Sequence, residues 1–236
     1  MTRLCTVLML CLTWAAAACG DEKAATPVHP DSSQWQDLFA PDLSNAIYPK
    51  GVWSVQNGVF TATEDQFLWT KEEHENFVVD LEFKNGPGAN SGVMVYCTDL
   101  ANPYSHVVEV QILDDYAQKW AGIPKNWQCA AIFGHQAATK QLVKKAGQWN
   151  RMTVTCRGPL ISVALNGQLV TKLDMKQCTS AQKNPDGSDI PTFLGQPPLA
   201  QMPTKGHIGL QGKHHGAPIY FRNVKFQPLP PQNKTV

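Results

Sequence analysis

From Trp35 onward the apolar and polar positions alternate with a period of two, in short runs divided by Gly, Asn, Pro and Asp. No long segment carries a helical period. Phe77, Val79, Leu81 and Phe83 alternate with Val78, Asp80, Glu82 and Lys84, which predicts a strand with one buried and one mostly wet face. Trp53-Ser54-Val55 and Val59-Phe60-Thr61 flank Asn57-Gly58, and runs 160–165 and 168–173 flank Asn166-Gly167. Asn-Gly between alternating apolar runs is the strongest short hairpin signal. Further strands are expected around Val93 and Val95, after a Gly- and Asn-rich turn, and over 107–113, 149–156, 207–211 and 219–226. Two stretches, 114–148 and 177–204, break the alternation, and only the first holds a short strand, near Ile132 and Phe133. Loops of that length in a compact domain usually carry function. Many short strands with no helical partner predict an all-β fold: a two-sheet antiparallel β-sandwich, a jelly roll of the concanavalin A-like lectin type, with another sandwich as the alternative.

Composition narrows the setting. The chain has 236 residues and a formal net charge of +1, which argues against nucleic acid or an anionic membrane surface as partner. Residues 1–19 read as an export signal: Arg3, an apolar run from Leu4 to Trp14, then small residues ending at Cys19. Ala16-Ala17-Ala18-Cys19-Gly20 resembles a lipobox without its usual Leu, so the expected destination is the cell envelope or periplasm, as a lipoprotein anchored at Cys19 or as a plainly secreted protein. Membrane contact is expected only through that anchor. Residues 20–34 form a tether, 35–228 the sandwich domain and 229–236 a tail. Cys97, Cys129, Cys156 and Cys178 remain; in an oxidising compartment they can form two disulfides of open connectivity, and their spacing fits no zinc pattern.

Candidate chemistry concentrates on two strands. In Glu109-Val110-Gln111-Ile112-Leu113-Asp114, alternation puts Val108, Val110 and Ile112 on one face and Glu109 and Gln111 on the other, roughly 6.6 Å apart. In His207-Ile208-Gly209-Leu210-Gln211, Ile208 and Leu210 oppose His207, Gly209 and Gln211, and the glycine leaves room for a close approach. The plainer reading of both is a half-buried strand whose polar face meets water. Lys213-His214-His215-Gly216 follows in a turn, where clustered His can move protons or bind metal. Tyr96, Trp127 and Trp149 are candidates to stack on a sugar. A glycosidase needs two suitably spaced carboxylates; Glu109 with Asp114 or Asp115 is the available pair, but the E-x-D-x-x-E strand of many sandwich glucanases is absent. Phosphate-binding loops, a dinucleotide fingerprint, a nucleophile elbow and an H-E-x-x-H helix are also absent.

Asn90-Ser91-Gly92-Val93, the 109–114 strand, Lys145-Ala146-Gly147-Gln148-Trp149-Asn150, Leu165-Asn166-Gly167, Gly206 through Gln211, and His215-Gly216 with Phe221-Arg222-Asn223 occur in that order. Together they resemble the 3-keto-disaccharide hydrolase domain family, formerly a domain of unknown function. The resemblance covers about residues 35–228. Tyr96 stands where an Arg often follows the Asn-Ser-Gly strand, and Lys213-His214 expands the segment before His215. The resemblance implies a concanavalin-like sandwich and cleavage of an oligosaccharide or glycoside already oxidised at sugar carbon 3. A ketone there acidifies the proton on carbon 2, so the site must supply a base, a stabiliser for the enolate and a proton for the leaving oxygen. Glu109 or His215 is the expected base, with Lys145, Arg222 or a divalent metal as stabiliser. Asn90, Gln111 and Gln211 are expected to orient sugar hydroxyls, with Tyr96, Asp114, Trp149 and His207 beside them; Arg222, in phase with Val224 and Phe226, has a structural alternative in the core. A non-catalytic carbohydrate-binding module is the competing function, and a structural or adhesive surface module the third.

Overall fold

The computed structural model describes residues 28–231. The export signal, Cys19, the tether up to Thr26 and Pro27, and the last five residues of the tail lie outside the described residues. In chain order the strands are β1 (Gln36–Asp37), β2 (Ala46–Ile47), β3 (Trp53–Gln56), β4 (Val59–Ala62), β5 (Phe67–Thr70), β6 (Phe77–Asn85) and β7 (Asn90–Cys97). They continue as β8 (Val108–Leu113), β9 (Trp149–Arg157), β10 (Leu160–Leu165), β11 (Gln168–Asp174), β12 (His207–Gln211) and β13 (Ile219–Pro228). Eight of them form one antiparallel sheet, in the order β11-β10-β9-β6-β13-β4-β3 with β1 also paired to β13; five form the second, β2-β5-β12-β7-β8. The all-β sandwich expected from alternation is therefore the observed fold.

One apolar cluster joins the sheets. Phe77, Val79, Leu81 and Phe83 of β6, with Met152 and Val154 of β9, meet Val93 and Val95 of β7, Val108, Val110 and Ile112 of β8, and Ile208 and Leu210 of β12. The outward face of the small sheet is apolar at one end too: Phe67, Trp69, Met94, Cys97 and Val107 form a second cluster there. That double covering explains β5, a strand alternation does not announce. All four of its residues are buried, so the pattern reads as a continuous apolar run.

Three expectations are corrected. The outer face of β6 is not uniformly wet. Asp80 is buried there, bonded by the Arg151 guanidinium at 2.7 Å, the Thr153 hydroxyl at 2.6 Å and the Ser32 hydroxyl at 2.5 Å, beneath the chain entering the domain. Arg222 does not face the core. A bulge between Arg222 and Lys225, with Asn223 at φ 51°, resets the alternation so that Phe221, Val224 and Phe226 point inward and Arg222 points out to Glu82. The four cysteines form no disulfide: each is a free, buried thiol, and Cys97 lies in the outer cluster while the other three lie in the core between the sheets.

Candidate active site

The outward face of the small sheet is the floor of a cavity of about 450 Å³. Glu109, Gln111 and Leu113 reach it from β8, Asn90 from β7 and Gln211 from β12. The register explains the grouping: Asn90 pairs with Leu113, Gly92 with Gln111 and Met94 with Glu109, so their outward faces coincide. Gly92 is required by this packing, since a β-carbon there would sit 2.5 Å from Glu109 Oε1 and 2.9 Å from Met94 Cε. Short 3-10 turns set the walls: Pro103–Ser105 brings Tyr104, Gln118–Trp120 brings Trp120, Lys125–Trp127 brings Trp127 and Thr192–Leu194 brings Phe193. Beyond the edge of β8 the chain at 130–133 runs alongside, with Ile132 in an isolated bridge to Val110. The Gln111 N–H donates to Ala131 O, and the Phe133 N–H donates to Glu109 O at 2.9 Å.

The opposite wall is polar. After β12 the chain continues beside β7, where His214 bridges to Asn90 in the backbone, and His215 takes φ 56°. His214 Nδ1 is bonded to Asp65 Oδ2, and the His215 ring lies 4.1 Å from that of His214 and 5.4 Å from Trp120. The other Asp65 oxygen is buried without a hydrogen-bond partner among the described residues.

Glu109 is the unusual group. Its carboxyl is packed round by protein on every side but the cavity, and no hydrogen bond reaches it among the described residues. Burial, reinforced by the Asp65 charge, pushes its pKa up to about 8, so it holds its proton at neutral pH. Burial first, and then nearby cationic groups such as Lys119, lower the pKa of His215 from the ordinary histidine value. Gln111 Oε1 accepts from the Ile112 N–H at 3.2 Å, which leaves its amide donors for the cavity. Gln211 reaches toward the Tyr104 hydroxyl at 3.5 Å, and its Oε1 is buried with no partner among the described residues.

Residues 31–227 match the family model described as the 3-keto-alpha-glucoside-1,2-lyase-like domain. The chain belongs to that family. A 3-keto-disaccharide hydrolase of Bacteroides thetaiotaomicron is 25% identical over 171 residues, 66% of this chain and 59% of that protein. The match thus spans about three fifths of the relative's length. A "putative glycosyl hydrolase" of Parabacteroides distasonis, known from a crystal structure, is 49% identical with a TM-score of 0.80, covering 83% of this chain and all of that one. The lumenal domain of VIP36, in its Ca2+/Man3GlcNAc-bound form, shares the fold alone: TM-score 0.50 and 8% identity over 84% of this chain and 90% of that one.

The residues the family resemblance singled out divide into two groups. Asn90, Glu109, Gln111, Gln211 and His215 line the cavity together. Tyr96, Asp114, Lys145, Trp149, His207 and Arg222 do not. Tyr96 is turned by a bulge in β7, where Met94 to Cys97 oppose only Gly209 to His207; at φ 62° it enters the core and its hydroxyl donates to Gly158 O at 2.7 Å. Asp114 accepts the Gly88 N–H at 2.8 Å in a turn, and Asp115 accepts that of Cys129 at 2.9 Å, so neither pairs with Glu109 as a glycosidase carboxylate. Lys145 is exposed in the turn before β9. Trp149 and Arg222 stack, 4.1 Å from guanidinium carbon to ring centroid, on the outer face of the large sheet. His207 lies beyond Trp69, which covers Gly209, and bonds Thr70 O through Nδ1. Among the described residues no three His, Cys, Asp or Glu side chains converge to hold a metal. The donor set does not fit the divalent ion considered above, and no step below involves one.

Asp65, Tyr104, Phe193 and Leu194 were not identifiable from sequence patterns. Asp65 carries no motif in Glu64-Asp65-Gln66, and the others reach the site through irregular segments. Loop length was the one available signal for Phe193 and Leu194.

Proposed function

We propose that this protein is a carbohydrate-active enzyme that cleaves 3-keto glycosides by elimination, with His214 as base and Glu109 as acid. The observation that carries the reading is a carboxyl with no hydrogen-bond partner among the described residues, Glu109, sharing one cavity with an Asp65-held imidazole, His214. Family membership supports the substrate class, and the glycosyl hydrolase relatives support a glycosidic bond as the target.

The roles follow from protonation. Asp65 fixes the proton of His214 on Nδ1, which leaves the Nε2 lone pair as acceptor. Nε2 takes the proton from sugar carbon 2, whose electron pair forms the C1=C2 double bond as the C1–O bond breaks. The carbon-3 carbonyl oxygen carries the developing charge, stabilised by the amide donors of Gln111 and Asn90. Glu109 gives its proton to the departing oxygen, for which a carboxyl with a pKa of about 8 is suitably poised. Water then adds across C1=C2 to give the free 3-keto sugar, and proton exchange with that water restores Glu109 and His214. Lys145 and Arg222 lie too far from the cavity to stabilise the enolate, and His215 packs against His214 as part of the wall.

The test is aglycone release from a 3-keto-glucoside in deuterated buffer. Release with deuterium at carbon 2 of the sugar product is expected. Release without that deuterium removes the elimination, and sugar binding with no release from several 3-keto glycosides leaves a binding module instead.

A further inference from the structure

The cavity is divided across β8. Toward β12 stand the polar groups Asn90, Gln111, Gln211 and His214; toward the outer edge of β8, along which residues 130–133 run, the wall is Phe133, Trp127, Phe193 and Leu194. The Phe133 N–H is bonded to Glu109 O, so this wall begins directly beside the acid. Its rings form one group: Trp127 lies 5.3 Å from Phe133 and 5.6 Å from Phe193, to which it is perpendicular at 89°. Phe193 nevertheless stays 65% exposed, an aromatic ring left facing the cavity mouth.

The wall is also held in place before any ligand arrives. His135 is buried behind it, with Nδ1 bonded to Asn184 and Nε2 to Gln196, both at 3.1 Å. Gln196 in turn donates to Tyr104 O at 2.9 Å and Val107 O at 2.8 Å. Gly134, at φ 75°, lets Leu194 and Pro191 seat against the 133–134 turn, since a β-carbon there would lie 2.9 Å from each. Two long excursions are thereby stitched together into a rigid apolar surface next to Glu109.

We propose that this surface is the leaving-group subsite, and that it selects glycosides of aromatic alcohols over disaccharides. The inference rests on the glycoside-cleaving reading above, and names which glycosides. A flat apolar ring can insert edge-to-face beside the perpendicular Trp127–Phe193 pair. The hydroxyls of a second sugar would lose water against Phe133, Phe193 and Leu194, whose side chains offer no hydrogen-bonding atom in return.

Calorimetric binding and steady-state kinetics separate the subsite from the chemistry. The ligands are phenyl 3-keto-glucoside and a 3-keto-disaccharide of the same anomer, titrated into the full chain carrying Glu109→Gln to prevent turnover. The phenyl 3-keto-glucoside is expected to bind about tenfold or more tightly, and Phe193→Ala in the same background is expected to shrink that preference several-fold. Equal binding of the two ligands, or an unchanged preference in the Phe193→Ala protein, overturns the subsite whether or not the enzyme turns over. Failure of the unsubstituted chain to release phenol, with the binding preference intact, instead removes the elimination chemistry and leaves the aromatic subsite standing. Phe193 is a rim residue, so its truncation leaves the core cluster undisturbed.

Discussion

At the residue scale the decisive feature is a carboxyl with no hydrogen-bond partner among the described residues. Glu109 has its pKa raised from 4.5 to about 8 by burial first and the Asp65 charge second. As an acid it is active while protonated, so aglycone release should fall as pH rises through about 8. A pH–rate profile that instead climbs through that value would make Glu109 the base. Glu109→Gln should lower kcat by roughly 10²–10⁴-fold with the fold intact. Stability gives an independent reading. A carboxyl whose folded pKa lies above its unfolded one stabilises the fold below about 4.5, and that contribution is lost as pH rises through about 8. Glu109→Gln should therefore gain on the unsubstituted protein between pH 5 and pH 9, by about 2 kcal/mol, which allows for cavity water relieving part of the burial. Thermal melts at the two pH values measure it. Asp65→Asn removes the charge that helps raise Glu109, so the alkaline limb of the pH–rate profile should move to lower pH. It also loosens His214 and should lower kcat by roughly 10²-fold.

At the scale of the strand, alternation placed Glu109, Gln111 and Gln211 on the cavity side of their strands, because β8 and the end of β12 run without interruption. It failed where a strand bulges. Tyr96 and Asn223 take left-handed backbone, and each inserts one residue that resets the alternation; Tyr96 goes into the core and Arg222 points outward from the large sheet to Glu82. Neither bulge carries a glycine to mark it. Burial on both faces hid β5 as well, and with it the covering of Gly209 by Trp69 that separates His207 from the cavity. The glycines of these strands are packing requirements that can be tested. Gly92→Ala drives a methyl into Glu109 and Met94, and should cost about 1–3 kcal/mol together with most of the activity. Gly209→Ala meets the Trp69 indole and should cost a similar amount, with a smaller effect on turnover, because Trp69 does not line the cavity. Chemical denaturation and kinetics on the two variants would show the contrast; equal activity loss in both would mean that strand distortion rather than displacement of Glu109 is responsible.

At the scale of the whole molecule, the two faces of the sandwich have different tasks. The cavity opens on the outer side of the small sheet. The chain enters on the outer side of the large sheet, where His29 bonds Thr153 at 2.7 Å and accepts the Gly167 N–H at 2.8 Å, and Pro30 O accepts from Arg151 at 2.6 Å. No alternation in residues 28–33 marks the entry point, and their partners are distant: Asp80 lies 48 positions from Ser32, and Thr153 lies 124 from His29. We propose that the chain is exported and lipid-anchored at Cys19, which the apolar run and the small residues before it support. Nine residue steps separate Cys19 from Val28, a span of at most about 30 Å, so an anchor there would hold the large sheet toward the membrane and leave the cavity facing away from it. Lipidation should then leave catalysis on a soluble glycoside unaltered. Cys19→Ser is expected to move the protein from the membrane to the soluble fraction of fractionated cells, with kcat/KM for a 3-keto-glucoside within about twofold of the detergent-extracted, lipidated form. Retention of Cys19→Ser in the membrane would remove the lipid anchor. A large gain in kcat/KM on release would mean that the anchored cavity faces the bilayer, contrary to the way the entering chain is tied to β9 and the β10–β11 turn.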